Sequence, residues 1–344
     1  MRLAIPLFLL ALAPGLNLGQ EPTPELVIKG LNNPTSVAIQ PTTGHVFVAD
    51  SGHFKVVRII DGKSEDVITD FPTGVYQNGK SYAAAPLSIA FLDQDTLVVG
   101  TAESSPSRPK LQLFDIPAAG SEPINSKAAT SEASLPDENA QTKQGGFYGI
   151  FKSTSALFVA YHRPDQPGWI AKADLATNQL TNLHQEFSVQ DVAKANFPFS
   201  VVLSPEGFLA VTQVGIPQSG IDSQLAFYDI QGNFLQSFDT GLSRVVGAAY
   251  GPQRGRLFAI NFTSPDDSGT ATPSPNSGLY KIVADGKEKC KPVLIAELNK
   301  PSALAFTPTG DLYVTVFGAL SEEGEQPSGA LMRIKGLDQP PKKK

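Results

Sequence analysis

Cysteine is almost missing from this chain: Cys290 is the only one in 344 residues. No internal disulfide can form, so the fold must hold by its core and its topology. Histidine is nearly as scarce, and His45, His53, His162 and His184 are the full set. Their spacing matches no zinc pattern. A Gly-x-Ser-x-Gly elbow and a phosphate-cradling glycine loop are missing as well, so the sequence offers no recognised route to those chemistries. Charged residues make up only 17%, and the net charge is -6. No overall positive field exists to attract nucleic acid, and none is expected as a partner. Lys342, Lys343 and Lys344 are a local exception, read as part of a solvated, disordered basic tail over 338–344.

Long apolar runs are lacking everywhere except at the start. Leu3 to Ala13 follows Arg2 and is too short to span a bilayer. Residues 1–19 therefore read as a secretory signal. Cleavage after Ala13 would leave Pro14 behind the cut, and a site near Gly19 is the alternative. The mature chain is expected to be exported, periplasmic or extracellular, with no transmembrane segment and as a monomer. One cysteine in an exported chain fits a bacterial envelope or extracellular protein better than a small secreted eukaryotic module.

What the chain does have is glycine, 30 residues, and proline, 28 residues. That mix suits many short strands joined by turns. The stretch Asn33–Ile60 sets the pattern. It holds three alternating runs, split by a Pro-Thr-Thr-Gly turn and an Asp-Ser-Gly-His turn. Small residues recur at matching points: Ser36, Ser88, Gly149, Ser200, Gly247 and Ala303. They lie roughly 50 residues apart, a spacing typical of propeller blades. Two residues before these anchors stand Pro34, Pro86, Phe147, Pro198, Val245 and Pro301. Proline is tolerated where a strand begins, because its missing N–H does not break the ladder there.

Second strands align at 45–50, 96–101, 156–161, 208–213, 256–261 and 311–316, and third strands follow each. Fourth strands are expected at Asp66–Thr69, Leu180–Leu183, Phe234–Phe238 and Val293–Ala296. In the second unit no fourth strand stands out, because 118–143 is Ser/Ala/Glu-rich and reads as a long loop. The sixth unit runs out after three strands, while Leu26-Val27-Ile28 precedes the first unit with no neighbour of its own. The sequence thus predicts an all-β, six-bladed β-propeller over 25–337, with four antiparallel strands per blade and strand 26–28 completing the last one. Blades are expected near 33–71, 85–143, 146–186, 197–240, 244–297 and 300–337 plus 25–30. A pair of β-sandwiches is the competing architecture, disfavoured by the shared Pro-x-small starts and the complementary ends.

The run HVFVADSGHFKVVRI (45–59) resembles an NHL-type repeat, in which a Val-Ala-Asp-Ser-Gly turn links the second and third strands. More broadly, the opening LVIKGLNNPTSVAIQPTTGHVFVAD and the closing NKPSALAFTPTGDLYVTV resemble the exported six-bladed propellers of the NHL, SMP-30/gluconolactonase and ScyD/ScyE-like groups. The likeness covers architecture along about 25–337. The middle blades share only the strand pattern. Gluconolactonase-like members imply a divalent metal held by carboxylates and amides at the channel mouth, partly from strand-one starts. Here those starts are Ser36, Ser88, Gly149, Ser200, Gly247 and Ala303, and hydroxyls alone are poor ligands for a hard cation. Streptogramin-lyase-like members imply a Glu-x-His element, which no histidine of this chain supplies.

The links between second and third strands are long in five units: Thr101–Lys110, Tyr161–Gly168, Gln213–Ser223, Asn261–Ser277 and Val316–Gly329. The turns between first and second strands are short. The face with the long links is the candidate binding face, although such loops also serve as plain spacers. Strand-two ends carry Asp50, Thr101, Tyr161, Gln213 and Asn261, polar where the strand would otherwise continue apolar. They are candidate ligand-binding residues at the channel mouth, together with His162 and Arg163, which follow Tyr161. For Asp50, turn capping is the favoured alternative. Tyr161-His162-Arg163 offers a donor, a titratable ring and a fixed cation on a long loop. No catalytic residue and no cofactor is expected. Calcium is left open only at the paired acids Asp266-Asp267 and Glu322-Glu323, which serve equally as solubilising charge. The leading expectation is a non-enzymatic binding or scaffold module for a protein, glycan or small molecule. The alternative is a metal-assisted lactone hydrolase or a related small-molecule enzyme.

Overall fold

The computed structural model describes residues 23–72, 75–77, 81–83, 86–102, 108–136, 145–163, 167–176, 179–189, 196–215, 222–263, 277–318 and 327–339. β1 (Glu25–Leu31) comes first. The first blade is β2 (Ser36–Ile39), β3 (Val46–Asp50), β4 (Lys55–Ile60) and β5 (Lys63–Thr69). A separate ribbon, β6 (Val75–Gln77) and β7 (Ser81–Ala83), precedes the second blade. That blade is β8 (Ser88–Phe91), β9 (Thr96–Gly100) and β10 (Leu111–Asp115), and, beyond the short β11 (Ile124–Asn125), β12 (Ser131–Ala133). The third is β13 (Gly146–Lys152), β14 (Ala156–His162), β15 (Trp169–Ala176) and β16 (Gln179–Ser188). The fourth is β17 (Phe197–Leu203), β18 (Leu209–Val214), β19 (Gln224–Tyr228) and β20 (Phe234–Asp239). The fifth is β21 (Val245–Tyr250), β22 (Leu257–Asn261), β23 (Gly278–Ala284) and β24 (Cys290–Glu297). The last is β25 (Pro301–Phe306), β26 (Leu312–Val316) and β27 (Gly329–Ile334), with β1 outermost.

This is the expected six-bladed β-propeller. Each innermost strand packs on the innermost strands of both neighbours, including β25 on β2, so the ring is closed. β1 runs antiparallel to β27 from Glu25 opposite Arg333 to Leu31 opposite Gly329. The front of the chain therefore covers what would be an open sheet edge in the last blade.

The hydrophobic core is divided into six wedges, one at each blade junction. Phe47 and Phe114 share the first with Ile89 and Leu97. Leu111 packs with Leu157 between blades two and three, and Phe158 with Val211 between three and four. Phe227 meets Leu257, Ile260 meets Val314, and Leu331 meets Val48 at the next three. The middle strands of each blade are thus sandwiched on both sides. That explains why VFVAD, TLVVG and LFAIN read as near-continuous apolar runs and are buried at every position.

The stretch expected to be a long loop in the second blade has more structure than its composition suggests. Ser131–Ala133 is the missing fourth strand, pairing with Leu111–Leu113. Before it, β11 lies parallel to β5 of the first blade as a fifth strand. Side chains fasten this strap. Asn125 Nδ2 donates to Asp70 Oδ2 at 2.7 Å, and Ser126 Oγ donates to the Asp70 carbonyl at 2.7 Å. Gly120 N donates to Glu65 Oε2, while the buried Arg58 pairs with Glu65 and donates to the Pro117 carbonyl. The strap covers the outer edge of blade one, where a bare strand would invite pairing with another chain.

Asp338, assigned by its sequence position to the tail, is fully buried. Its carboxylate accepts from the backbone N–H of Gln253 at 2.8 Å and of Arg254 at 3.1 Å, and from Arg256 Nε and Nη2 at 2.9 and 2.7 Å. Gly251 makes room for it, since a Cβ there would lie 2.3 Å from the Asp338 carboxyl carbon. The chain thus locks onto blade five after its last strand. Residues 340–344, like 1–22, lie outside the described residues.

Two outcomes are expected. Deleting residues 23–31 should lower the melting temperature by roughly 10 °C or more, because the last blade loses its outer strand and part of its wedge. An unchanged thermal transition would show that β1 does not hold the ring. Asp338→Ala should cost about 3 kcal/mol in denaturant unfolding, by leaving Arg256 and the N–H groups of Gln253 and Arg254 without their acceptor. A cost under 1 kcal/mol would mean the latch is dispensable.

Candidate functional site

At the start of each blade's first strand the backbone meets a polar side chain from the blade before it. Ser51 and Thr35 of blade one donate to the Pro86 carbonyl. Ser88 Oγ donates to the Phe147 carbonyl at 2.7 Å. His162 Nδ1 donates to the Pro198 carbonyl at 3.2 Å. Ser223 Oγ accepts from Val245 N at 2.9 Å, and Ser277 Oγ accepts from Lys300 N at 3.1 Å. Ser302 Oγ donates to the Pro34 carbonyl at 2.6 Å and closes the circle. Four of these acceptors are the residues two positions before the anchors. The mouth of the channel is therefore a hydrogen-bonded collar.

The seven sequence-derived candidates all sit on this collar or just behind it. Asp50 is buried. Its Oδ1 accepts from Asn32 N at 2.7 Å, and its Oδ2 pairs with His53 Nδ1 at 2.8 Å. Burial pushes its carboxyl above the ordinary value, against the lowering pull of those two hydrogen bonds. Asn261 Oδ1 accepts from Arg244 N at 2.9 Å, a matching cap in blade five. Thr101 exchanges hydrogen bonds with the backbone of Lys110 across its own link. Gln213 is fully buried and reaches Tyr228 Oη at 3.5 Å, with its Oε1 unpartnered.

Tyr161 was expected as the last residue of its strand and His162 on the loop beyond it, and the structure corrects the second placement. β14 runs on through both, and both are buried. Aromatic packing holds the strand straight. Tyr161 lies 5.3 Å from Phe147, and His162 is stacked on Tyr148 at 4.2 Å with 10° between the planes. Phe199 lies 4.9 Å from both Tyr148 and His162, and Phe197 lies 5.5 Å from His162. Burial lowers the His162 pKa to about 4, only partly offset by its bond to the Pro198 carbonyl. The imidazole is therefore neutral at pH 7, with its hydrogen on Nδ1. Arg163 is half-buried. Its stem lies against Gly145, and the Tyr148 ring lies against Gly146.

The rings of Tyr148, Phe197 and Phe199 form a half-buried ledge at the inner edge of blades three and four. Sequence reasoning did not select them, although Tyr148 and Phe199 stand where the other units carry Thr35, Leu87, Val246 and Ser302, none of them aromatic. The interiors of the long links, at 103–107, 164–166, 216–221, 264–276 and 319–326, lie outside the described residues, as do both acid pairs considered for calcium. Elsewhere, a cleft of about 600 Å³ opens between β1, Thr43–Val46, Ile59–Gly62, Tyr313 and Arg333. None of the seven candidates lines it. Its Arg333 is engaged by Asp311, and its Glu25 by Lys335.

Among the described residues the donors do not fit a metal of the gluconolactonase kind. Asp50 and Asn261 spend their oxygens on caps, and Ser36 and Ser88 serve the collar. Among the described residues no three of His, Cys, Asp and Glu are grouped to hold a metal ion. No helix among them is long and apolar enough to cross a membrane.

No protein-family model and no curated protein matches the sequence. Solved structures do. A soluble aldose sugar dehydrogenase from Escherichia coli has a TM-score of 0.58 at 12% identity, over 90% of this chain and 98% of that one. A luciferin-regenerating enzyme gives 0.56 at 14%, over 92% and 96%. A gluconolactonase from Xanthomonas campestris gives 0.52 at 11%, over 90% and 89%. The chain thus shares its β-propeller fold with gluconolactonase-like and sugar-dehydrogenase propellers, and at these identities the likeness is one of fold.

His162 gives this site a pH signature. Its pKa lies below the ordinary value of 6.5, so the folded state resists protonation. Its contribution is fully present above pH 6.5 and is lost as pH falls from 6.5 towards 4, by up to about 3 kcal/mol. His162→Asn, which keeps a neutral N–H donor, should flatten that part of the pH–stability curve. Superimposable wild-type and variant curves between pH 4 and 6.5 would show that His162 does not titrate with unfolding.

Proposed function

We propose that the protein is an exported, non-enzymatic binding propeller that takes its ligand at the channel mouth, on the face of the long strand two–three links. The observation that carries this reading is the aromatic ledge of Tyr148, Phe197 and Phe199, half-exposed on a rigid collar. Large rings at a mouth offer contact area with little side-chain entropy to lose. The polar strand-two ends support the reading from the other side. A catalytic residue must be free to touch substrate or metal, whereas Asp50 and Asn261 are tied to backbone N–H groups.

The second reading is metal-assisted lactone hydrolysis, favoured by the fold likeness to gluconolactonases. The two readings differ in what purified protein contains. A binding module should carry no stoichiometric calcium, magnesium or zinc. Asp50→Ala should then lower stability by about 1–3 kcal/mol, through the orphaned Asn32 N–H, without changing metal content. Tightly held metal that disappears in Asp50→Ala or Asn261→Ala would overturn the proposal in favour of the hydrolase.

A further inference from the structure

We infer that the cleft at the junction of blades six and one is a second binding site, for an amine carried on an apolar body. It lies at the end of the blades opposite the long links, so the assignment does not rest on the mouth reading. The repeat explains why there is room. Where blade one meets blade two, Phe47 packs on Phe91 at 4.9 Å, and where blade five meets blade six, Phe258 packs on Phe306 at 5.4 Å. The same repeat positions at the junction of blades six and one are Tyr313 and Ile39. Isoleucine is smaller than phenylalanine, and a wedge is closed only where side chains fill it. The gap of about 600 Å³ is within the range of small-molecule sites.

The walls define what fits. Val46 and Ile59 of blade one, with Val27 and Tyr313 of blade six, give the cleft an apolar lining. Leu26 also lines it and is 57% exposed, the most exposed large apolar side chain among the described residues. An apolar body that covers it removes that surface from water. Charge adds the selectivity. The charged lining groups are Glu25, Asp61 and Arg333. Arg333 is matched by Asp311 and lies over the Tyr313 ring at 5.7 Å, and Glu25 is matched by Lys335 at 2.8 Å. Lys29 and Lys63, the next cations along the chain, do not line the cleft. Asp61 is exposed and has no ion pair among the described residues. One unmatched carboxylate beside an apolar lining complements an ammonium on an apolar body.

The test uses the full chain and three probes of matched body in titration calorimetry: 2-(1-naphthyl)ethylamine, 2-(1-naphthyl)ethanol and 1-naphthylacetate. The amine should bind about fivefold tighter than the alcohol and at least tenfold tighter than the acid. Asp61→Asn removes the charge and suits the fold, because asparagine takes the left-handed backbone of Asp61, φ 49°, as readily as aspartate. It should bring amine and alcohol within about twofold of each other and leave the alcohol unchanged. Leu26→Ser should weaken all three probes about threefold. Both positions are exposed, so thermal unfolding should stay within a few degrees of wild type. The assignment is overturned if acid or alcohol binds as tightly as the amine, or if no probe binds. It is overturned as well if the amine keeps its advantage in Asp61→Asn, or if Leu26→Ser leaves all three affinities unchanged. Each of these results leaves the reading of the mouth standing.

Discussion

Everything in this molecule depends on closing a circle from sheets that are not stable singly. Each blade buries both faces of its middle strands, so each needs a neighbour on either side. The chain meets that demand with six apolar wedges and no disulfide. A ring built this way fails at its weakest joint, and the weakest joint is where the polypeptide begins and ends. That joint is reinforced twice. β1 supplies the last blade with its outer strand, and Asp338 anchors the chain beyond β27 to the first turn of blade five. Neither contact is local in sequence, so each carries the loop-closure cost of bringing distant parts of the chain together.

Closure also dictates the chemistry of the mouth. Where each blade starts, the backbone arrives at an angle to its neighbour and cannot complete a ladder with it. Its carbonyls and N–H groups still need partners. The hydroxyls of Ser51, Ser88, Ser223, Ser277 and Ser302 supply them. The caps made by Asp50 and Asn261 meet the same need one step behind. A ring of polar residues at a channel mouth therefore has a purely architectural origin. It cannot by itself be counted as a ligand site.

This is where reading the sequence ran out. The blade count, the strand pattern and the closure by Leu26–Ile28 were legible, because Pro34, Pro86, Pro198 and Pro301 and the small anchors mark each start in linear order. The polar strand-two ends were legible as a pattern too. Their partners were not: Asn32 and Arg244 lie in preceding lead-ins, and nothing in the residue types announces the pairing. The outer strand Ser131–Ala133 was hidden for a different reason. It is three residues of weak β-propensity, and its strand state comes from pairing with Leu111–Leu113. β11 pairs in parallel with a strand of the preceding blade, a contact no local pattern encodes. His162 was misplaced because its polarity suggested a loop, while the ring of Tyr148 keeps it in the strand.

The junction between blades three and four breaks the rule that the other five follow. There an imidazole replaces the hydroxyl, and three further rings gather round it. A hydroxyl would satisfy the Pro198 carbonyl at no risk, as it does for Pro34, Pro86 and Phe147. A buried histidine does so as well, but protonating it would bury a charge, and that makes the joint sensitive to acid. Stability alone gives no reason for that exchange. What the imidazole adds is a flat surface, on which Tyr148 stacks and against which Phe199 leans, so that the ledge is fixed from behind. The one irregular joint in the collar thus gathers half-buried rings around a neutral imidazole, and the packing of those rings accounts for both departures at once.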